Sequence, residues 1–322
     1  MPTGIFQAIG SNAMSASPTE SATTPSFVVA GAARSGTTAL TEALRSHPDV
    51  FVTTPKEPHY LALAGHSLDF RGPGDEVMIN REAITSRDTY LGLYPEVHQY
   101  AALGEGSVST LYYHDRSVPR LLAINPDIRV VLLLRDPVGR AYSSFQFLRA
   151  QGYEPLSDFL AAIEDESRRV RANWHHLWHY AGMSHYADSV EFVIQELGRD
   201  QVGIWFYDEL VAEPTRTLDE VLRFLGVDPS KLPPGALWET NVSGTPRSRR
   251  LQSFYWWARR RELLRRTVRL APFKLRQRLR NANLQPTPLP VEARRELGEL
   301  FVDDLSRLTE IIGRPLPRWD YT

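Results

Sequence analysis

Cysteine is absent from this sequence, and neither one sign of charge nor long apolar runs are in excess. Without cysteine the chain has no disulfide framework, no thiolate metal site and no cysteine nucleophile. The 37 basic residues nearly balance the 38 acidic ones, so no overall field directs the chain to nucleic acid or to a membrane. No stretch reaches the roughly 18 consecutive apolar residues of a membrane-spanning helix. The composition predicts a soluble globular protein without a nucleic-acid partner, and we expect a cytoplasmic location.

The N-terminal segment differs in composition from the rest of the chain. Residues 1–25 are rich in Ser, Thr, Ala and Pro and contain no apolar run. Such a segment buries too little apolar surface to fold, and it lacks the basic start and apolar middle of a signal peptide. The letters SNAM at 11–14 resemble a tag remnant. We therefore predict a disordered tail over 1–25 and one folded domain over 26–322.

Short apolar strands alternate with helical patterns along that domain. The strand predicted at 26–31 precedes a helix at 37–46, and further buried strands are predicted at 128–134 and 202–207. Strands of this kind, separated by helices, form a parallel sheet that is covered on both faces and binds ligands at the carboxyl ends of its strands. The C-terminal pattern over 293–313 predicts one amphipathic helix.

The letters GAARSGTT, which we call the phosphate loop, follow the first strand. Gly31 and Gly36 have the spacing of a Walker A loop, but Thr37 occupies the position of its lysine. Two glycines ahead of a helix let backbone N–H groups converge on a phosphate, whereas the missing lysine makes triphosphate chemistry doubtful. The alternative is a tight turn that leaves Arg34 in solvent.

A second anion site is indicated about one hundred residues later. Arg135 ends a buried strand, and Ser143 lies eight residues on, in a helix that Asp136 and Pro137 begin. A guanidinium group can engage two oxygens of a phosphate monoester, and a nearby hydroxyl adds a donor. The alternative is an Arg135 that pairs with Asp136.

Several motifs in one order resemble a known family. The letters GAARSGTT, KEPHYL, GEGSVSTLYY, RDPVGRAYSSF and WFYDELVAEP resemble the sulfotransferases that use 3′-phosphoadenosine 5′-phosphosulfate (PAPS), in particular the branch with heparan sulfate and bacterial enzymes. The likeness covers roughly residues 26 to 250 and continues more weakly beyond. It implies an α/β fold with a P-loop-kinase-like parallel sheet flanked by helices, a helical C-terminal portion, PAPS as co-substrate and no metal.

The resemblance also implies which residues bind PAPS. The 5′-phosphosulfate is expected to contact Arg34 near the bridging oxygen and the loop residues Ser35, Gly36, Thr37 and Thr38. The 3′-phosphate is expected to contact Arg135 and Ser143, together with Gly244 and Arg247 from a C-terminal loop.

A base is expected in the letters KEPH, after the second strand. Glu57 matches the catalytic carboxylate of the heparan sulfate branch, and His59 is the competing base. One departure from the family concerns Gly106, where the heparan sulfate enzymes have a lysine that polarises the sulfate. Either Lys56 or Arg34 is expected to supply that charge.

Two further segments bear on the acceptor. The helix-like letters NWHHLWHY at 173–180 carry His175 and His179 at i, i+4 spacing, but without a third ligand we favour a core or acceptor-pocket face over zinc. Between Arg249 and Arg280, twelve basic residues accompany one acid. The basic helical segment 251–285 is interpreted as a solvated helix or a lid over the acceptor site, with peripheral membrane contact as an alternative.

The expected function is transfer of the sulfuryl group to a hydroxyl of a small natural-product, phenolic or sugar acceptor. Alternatives are a polysaccharide or glycolipid sulfotransferase, a P-loop small-molecule kinase, and a non-catalytic protein that binds membranes or polyanions. The sequence indicates no oligomeric state.

Overall fold

A parallel sheet with helices on both faces forms the centre of the fold. The computed structural model describes residues 24–94, 99–236, 245–246, 284–285, 288–319 and 321. The strands of the central sheet are β1 Phe27–Gly31, β2 Val50–Val52, β3 Ala102–Gly106, β4 Arg129–Leu134 and β5 Val202–Phe206. Their order is β2-β3-β1-β4-β5, and all of these pairings are parallel. The predicted α/β fold class is confirmed.

The helices follow in chain order. In the first half they are α1 Thr37–Arg45, α2 Tyr60–Leu63, α3 Arg87–Leu91, α4 Ser109–Tyr112 and α5 His114–Ile124, with a π-helical turn at Glu76–Asn80. In the second half they are α6 Pro137–Ala150, α7 Phe159–Glu164, α8 Glu166–Arg171, α9 Ala187–Leu197, α10 Tyr207–Ala212, α11 Pro214–Phe224, α12 Val291–Glu299 and α13 Val302–Ile312. Short 3₁₀ turns span His176–Trp178, Gly182–Ser184, Arg199–Gln201 and Pro229–Lys231. A separate antiparallel pair joins β6 Thr245–Pro246 to β7 Leu284–Gln285.

Alternate residues of the strands are buried in the two hydrophobic cores on opposite faces of the sheet. In β1, Phe27 and Val29 pack with α1 and α11 on one face, while Val28 and Ala30 pack with α5 and α9 on the other. Successive side chains of a strand point to opposite faces, so a strand buried on both faces is apolar throughout. This is why the short apolar runs in the sequence predicted β1, β4 and β5 correctly.

The helix after β4 begins as its sequence predicts. Asp136 precedes the helix and accepts a hydrogen bond from the backbone N–H of Gly139 at 3.0 Å, and Pro137 occupies the first helical position. Because the cap is local, it holds Arg135 directly after β4, one residue before the cap. Sheet and cap together place Arg135 at the carboxyl edge of the sheet, where the phosphate loop also lies.

Two local predictions were wrong. The single C-terminal helix expected over 293–313 is divided into α12 and α13, because α12 packs on α6 whereas α13 packs on α9, with Phe301 buried at the junction. The stretch 173–180 is not helical beyond the 3₁₀ turn His176–Trp178, since the backbone at His175 is extended. Both errors arise where contacts with distant elements override a local helical pattern.

Some predictions fall outside the described residues. These are residues 1–23 of the predicted tail, Gly244, Arg247 and the basic segment 251–285 apart from Leu284–Gln285. Within the described ranges, no helix has both the length and the apolar character needed to cross a bilayer.

Candidate active site

The phosphate loop turns sharply between β1 and α1. Gly36 has a φ of 90°, in the left-handed region that glycine tolerates best. A Cβ at this position would lie 3.1 Å from a Leu210 methyl group and 3.2 Å from the Tyr207 ring. Position 36 therefore excludes a side chain both by conformation and by space, and the backbone approaches α10 closely.

The loop and the start of α1 together have the properties of an anion site. Ser35 is fully buried, and its hydroxyl has no hydrogen-bond partner among the described residues. The first turn of α1 contains no acidic residue, and no side chain caps its N-terminus. Buried hydroxyls and the N–H groups that begin a helix require acceptors, and the helix dipole favours an anionic one.

The structure brings the two anion-binding motifs of the sequence together. Arg34 donates from Nε to the Ser143 hydroxyl at 3.3 Å, and Arg135 donates from Nη1 to the Arg34 carbonyl at 2.9 Å. Each guanidinium lies over an aromatic ring, Arg34 at 4.6 Å from the Phe147 centroid and Arg135 at 4.5 Å from that of Tyr207. Two arginines and one hydroxyl thus line one edge of the sheet beside the phosphate loop.

Asp136, the alternative partner of Arg135, is engaged by other groups. Besides the Gly139 N–H, it accepts hydrogen bonds from the Tyr321 hydroxyl at 2.5 Å and from Arg294 at 3.1 Å. The second carboxylate oxygen is therefore occupied by the C-terminal part of the chain, and the Arg135 guanidinium faces Arg34 and Tyr207 instead.

Glu57 lies between two nitrogen-bearing side chains. Its carboxylate is 2.8 Å from the Lys56 ammonium and 3.8 Å from His59 Nε2, and its side chain is 32% exposed. Burial raises the pKa of Glu57, but the positive charges of Lys56 and Arg34 and the neighbouring His59 outweigh burial, so this pKa lies below its usual value. Glu57 is ionised at neutral pH and able to accept a proton.

His59 is neutral and held in place. Burial, opposed only in part by the charge of Glu57, lowers the pKa of His59 to about 4. Its Nδ1 lies 3.0 Å from the Ser109 hydroxyl, and its backbone has a positive φ of 59°, an unusual value for a residue other than glycine. Its Nε2 faces Glu57.

Position 106, where the expected lysine is missing, has no room for a side chain. A Cβ on Gly106 would lie 2.7 Å from the Thr41 hydroxyl and 3.4 Å from Cε of Lys56. The stem of Lys56 therefore covers the space above Gly106, and its ammonium group reaches Glu57. The cation at this place comes from the neighbouring segment.

A buried carboxylate organises the histidine stretch. Asp75 is fully buried, accepts a hydrogen bond from Trp178 Nε1 at 2.8 Å and lies 2.6 Å from His175 Nδ1. Sequence reasoning missed Asp75, because a single acid in a loop one hundred residues away carries no pattern that pairs it with a histidine.

The remaining histidines of the stretch, His176 and His179, contact aromatic side chains around the site. The Tyr112 hydroxyl donates to His179 Nδ1 at 2.8 Å, and His179 Nε2 donates to the Trp174 carbonyl at 3.1 Å. The His176 ring lies 5.8 Å from that of His59. In the part of the chain that the structure describes, no three His, Asp or Glu side chains form a group that could hold a metal ion.

A cavity of about 170 Å³ opens beside the phosphate loop. Its walls include Ala32 and Ala33 of the loop, Tyr112, Met183 and, at the more exposed side, His185. The loop residue Ala33 is adjacent to Arg34, so the cavity lies next to the proposed anion site.

Comparison with known proteins identifies the family of this chain. The family model described as "Sulfotransferase family" matches residues 25–231. The bifunctional heparan sulfate N-deacetylase/N-sulfotransferase 4 of Mus musculus is 25% identical over 314 residues, covering 92% of this chain but only 31% of that longer protein. The heparan sulfate glucosamine 3-O-sulfotransferase 3A1 of Mus musculus is 26% identical over 205 residues, which cover 63% of this chain and 46% of that protein.

A solved structure extends the likeness to the fold. The crystal structure of a sulfotransferase from Alicyclobacillus acidocaldarius superimposes with a TM-score of 0.72 at 27% identity, covering 92% of this chain and 98% of that one. The family match includes β1 through β5, the phosphate loop, Glu57 and the Arg135 motif. The chain belongs to the sulfotransferase family.

Proposed function

We propose that this protein transfers the sulfuryl group of PAPS to a hydroxyl group of a small-molecule acceptor. The observation that carries the proposal is the contact between Arg34 and Ser143, which joins the phosphate loop to the second anion-binding motif. PAPS has a phosphosulfate at its 5′ end and a phosphate at its 3′ position, so it requires two anion sites within one nucleotide length. Membership of the sulfotransferase family supports a sulfuryl group as the group that is transferred.

The 5′-phosphosulfate fits the phosphate loop. The unpartnered Ser35 hydroxyl and the uncapped start of α1 provide donors, with Gly36, Thr37 and Thr38 contributing backbone N–H groups. Arg34 neutralises charge on the leaving phosphate, which is the role that an electrostatic stabiliser has in group transfer. Arg135 and Ser143 receive the 3′-phosphate, the group that distinguishes PAPS from ATP.

Glu57 is the proposed base. It accepts the proton of the acceptor hydroxyl, whose oxygen forms a bond to sulfur while the bond between sulfur and the bridging phosphate oxygen breaks and its electron pair leaves with the nucleotide. His59 is less suited to this role, because its pKa is lowered to about 4 and its Nδ1 is engaged by Ser109. Neutral His59 lies beside the Glu57 carboxylate, with Nε2 at 3.8 Å.

Lys56 is the proposed source of the charge that the family places at position 106. Its stem crosses Gly106 and its ammonium group lies 2.8 Å from Glu57. A cation here stabilises both the ionised base and the negative oxygens of the sulfuryl group in the transition state. Arg34 acts on the leaving-group side, so the two cations that the sequence offered as alternatives have separate roles.

A small acceptor is supported by the cavity beside the phosphate loop. Its volume of about 170 Å³ suits a single ring, and its alanine, methionine and tyrosine walls suit a phenolic or sugar ring. The second candidate is a polysaccharide or glycolipid acceptor, favoured by the carbohydrate activities named for the curated relatives.

Calorimetric titration tests the nucleotide. We expect 3′-phosphoadenosine 5′-phosphate to bind without Mg²⁺ and at least about tenfold more tightly than ATP, because ATP has no 3′-phosphate for Arg135 and Ser143. No binding at millimolar concentration would contradict the proposal, and Mg²⁺-dependent preference for ATP would indicate a kinase.

Labelled PAPS then tests the acceptor. Incubation with phenols, monosaccharides and heparan sulfate oligosaccharides should label a single-ring compound. Label confined to the oligosaccharides would assign the second candidate. A single-ring phenol that is an acceptor should compete with other acceptors for the label. Loss of this competition in Met183→Trp, whose larger side chain fills the cavity, would show that the acceptor binds there.

A further inference from the structure

Glu105 is a carboxyl group in the centre of the fold that the mechanism above does not use. It lies in β3, in register with Val28 of β1, and is fully buried. No lysine or arginine forms an ion pair with it among the described residues. Burial of a carboxyl group without a cation is costly, so a residue of this kind needs a structural or functional reason.

Hydroxyl groups surround this carboxyl group. The Tyr94 hydroxyl lies 3.4 Å from Oε2 and 3.2 Å from the Tyr90 hydroxyl, and the Ser107 hydroxyl lies close enough to the carboxyl group to lower its pKa. Oε1 has no hydrogen-bond partner within the described residues. Glu105 therefore lies at the end of a chain of two tyrosine hydroxyls, with the Ser107 hydroxyl as a further neighbour.

Two members of this network contact the segment that carries the proposed base. Ser107 Oγ accepts a hydrogen bond from the backbone N–H of His59 at 3.4 Å. The Tyr90 ring stacks on Tyr60, the residue after His59, with centroids 4.4 Å apart and planes at 14°. The contacted backbone is the one with positive φ at His59, a conformation that persists only where surrounding contacts hold it.

We infer that Glu105 is a positioning residue for sulfuryl transfer: through Ser107 and the Tyr90–Tyr60 stack it fixes the backbone at His59 and thereby the Glu57 carboxylate. This inference rests on the proposed function for its catalytic consequence. Its structural part, the restraint of His59, is independent of the reaction.

The charge of Glu105 adds a second connection to the base. Burial, with a smaller contribution from Glu57, raises the pKa of Glu105 to about 7 although the three hydroxyls oppose this. The groups that face it are Glu57, Tyr90, Tyr94 and Ser107. Ionisation of Glu105 places a second negative charge near Glu57 and makes Glu57 a stronger base.

The test compares Glu105→Gln and Ser107→Ala with the wild-type protein. From about pH 5.5 to 8.5, we expect wild-type kcat to rise through pH 7, and we expect that rise to disappear in Glu105→Gln with kcat about tenfold lower at pH 8. Ser107→Ala should lower kcat and Ser107→Thr should restore it. Affinity for 3′-phosphoadenosine 5′-phosphate should stay within about twofold in each variant, because the nucleotide site is not altered.

Hydrogen exchange supplies a readout that needs no activity. In both Glu105→Gln and Ser107→Ala, backbone amides of residues 57 to 63 should exchange about tenfold faster than in the wild-type protein, while those of α11 should not change. Glu220→Gln, which removes a surface carboxylate from α11, is the control and should leave the 57–63 amides and kcat unchanged.

The outcomes separate the two proposals. A wild-type protein that transfers no sulfuryl group contradicts the proposed function, whereas unchanged exchange at 57–63 in both variants contradicts the positioning role. Unchanged kcat and an unchanged pH profile in an active enzyme also contradict the positioning role. If Glu105→Gln does not fold, Ser107→Ala alone decides by the same measurements.

Discussion

The two sides of the candidate site differ in the kind of group that they use. The proposed nucleotide side presents Arg34, Arg135, hydroxyls and backbone N–H groups, which bind anions through positive charge and hydrogen bonds. The base side presents Glu57, His59 and Glu105, all of which titrate and all of which have displaced pKa values. We therefore expect proton transfer to respond to pH through these carboxyl and imidazole groups.

Two carboxyl groups on the base side show why the pKa values are displaced. Burial raises the pKa of both Glu57 and Glu105, but only Glu57 has Lys56 at 2.8 Å, and its pKa falls while that of Glu105 rises to about 7. A single adjacent ammonium group therefore reverses the effect of desolvation. The same residue type is ionised at neutral pH in one place and titrates near pH 7 in the other.

Removal of the base should have the largest effect. Glu57→Gln keeps the size of the side chain but cannot accept the acceptor proton, so we expect kcat to fall by about 10²–10⁴-fold. Affinity for 3′-phosphoadenosine 5′-phosphate, measured by calorimetry, should be nearly unchanged because the nucleotide side is intact. His59→Asn is the comparison: a loss of this size in His59→Asn, together with a Glu57→Gln variant that stays active, would transfer the role of base to His59.

Removal of the second anion site should affect binding instead. Arg135→Ala eliminates charge-assisted hydrogen bonds to the 3′-phosphate, each typically contributing about 1.5–3 kcal/mol, so we expect Kd for the nucleotide to rise by roughly 10–100-fold. Arg223→Ala, on the surface of α11, is the matched control. Equal affinity of the two variants would show that Arg135 does not contact the nucleotide.

Gly36→Ala probes the turn of the phosphate loop. The positive φ costs roughly 1–3 kcal/mol for a residue with a side chain, and the added methyl group would press against Leu210 and Tyr207. Gly198→Ala has nearly the same φ, 86°, but open space around the position. We expect denaturant unfolding to show a loss of stability in both variants and weaker nucleotide binding only in Gly36→Ala. Unimpaired binding by Gly36→Ala would separate the loop from the nucleotide.

Mild acid should produce the smallest effect, and it should act through the base side. Burial lowers the pKa of His59 and His179 to about 4 and that of His176 well below its usual value. In the unfolded chain these groups bind protons near pH 6.5, so they make stability fall as the pH decreases through 6.5 towards 4. Glu105 acts in the opposite direction, because its raised pKa makes the folded state bind a proton between about 4.5 and 7.

The three histidines destabilise the folded state as the pH falls, and Glu105 opposes them. Together these groups should lower the free energy of unfolding by on the order of 1 kcal/mol between pH 7 and pH 6. Urea unfolding at the two pH values measures this difference. In Glu105→Gln the opposing contribution is removed, so the loss over this interval should become larger. A variant that becomes less sensitive to acid would contradict the assigned direction of the Glu105 shift.

Local sequence was sufficient for the framework and for the nucleotide side. Strands β1, β4 and β5 are short apolar runs because both faces of the sheet are buried, and Asp136 with Pro137 begins α6 through contacts within one turn. Gly36 has a strictly local requirement, its positive φ. The parallel arrangement then places the phosphate loop and Arg135 at one edge without further information.

Only the tertiary structure showed which residues surround the proposed base. The contacts around this base join residues about fifty to one hundred positions apart, or depend on the packing of side chains between strands. They are the cover of Gly106 by Lys56, the pairing of Asp75 with His175 and the network from Glu105 to His59. Periodicity and spacing describe neighbours along one element, so they contain no information on such pairs. The sequence by itself determined where two phosphates are expected to bind and placed Lys56 beside Glu57. Only the tertiary structure showed that Glu105 is buried without such a cation, and burial is the reason that its pKa rises.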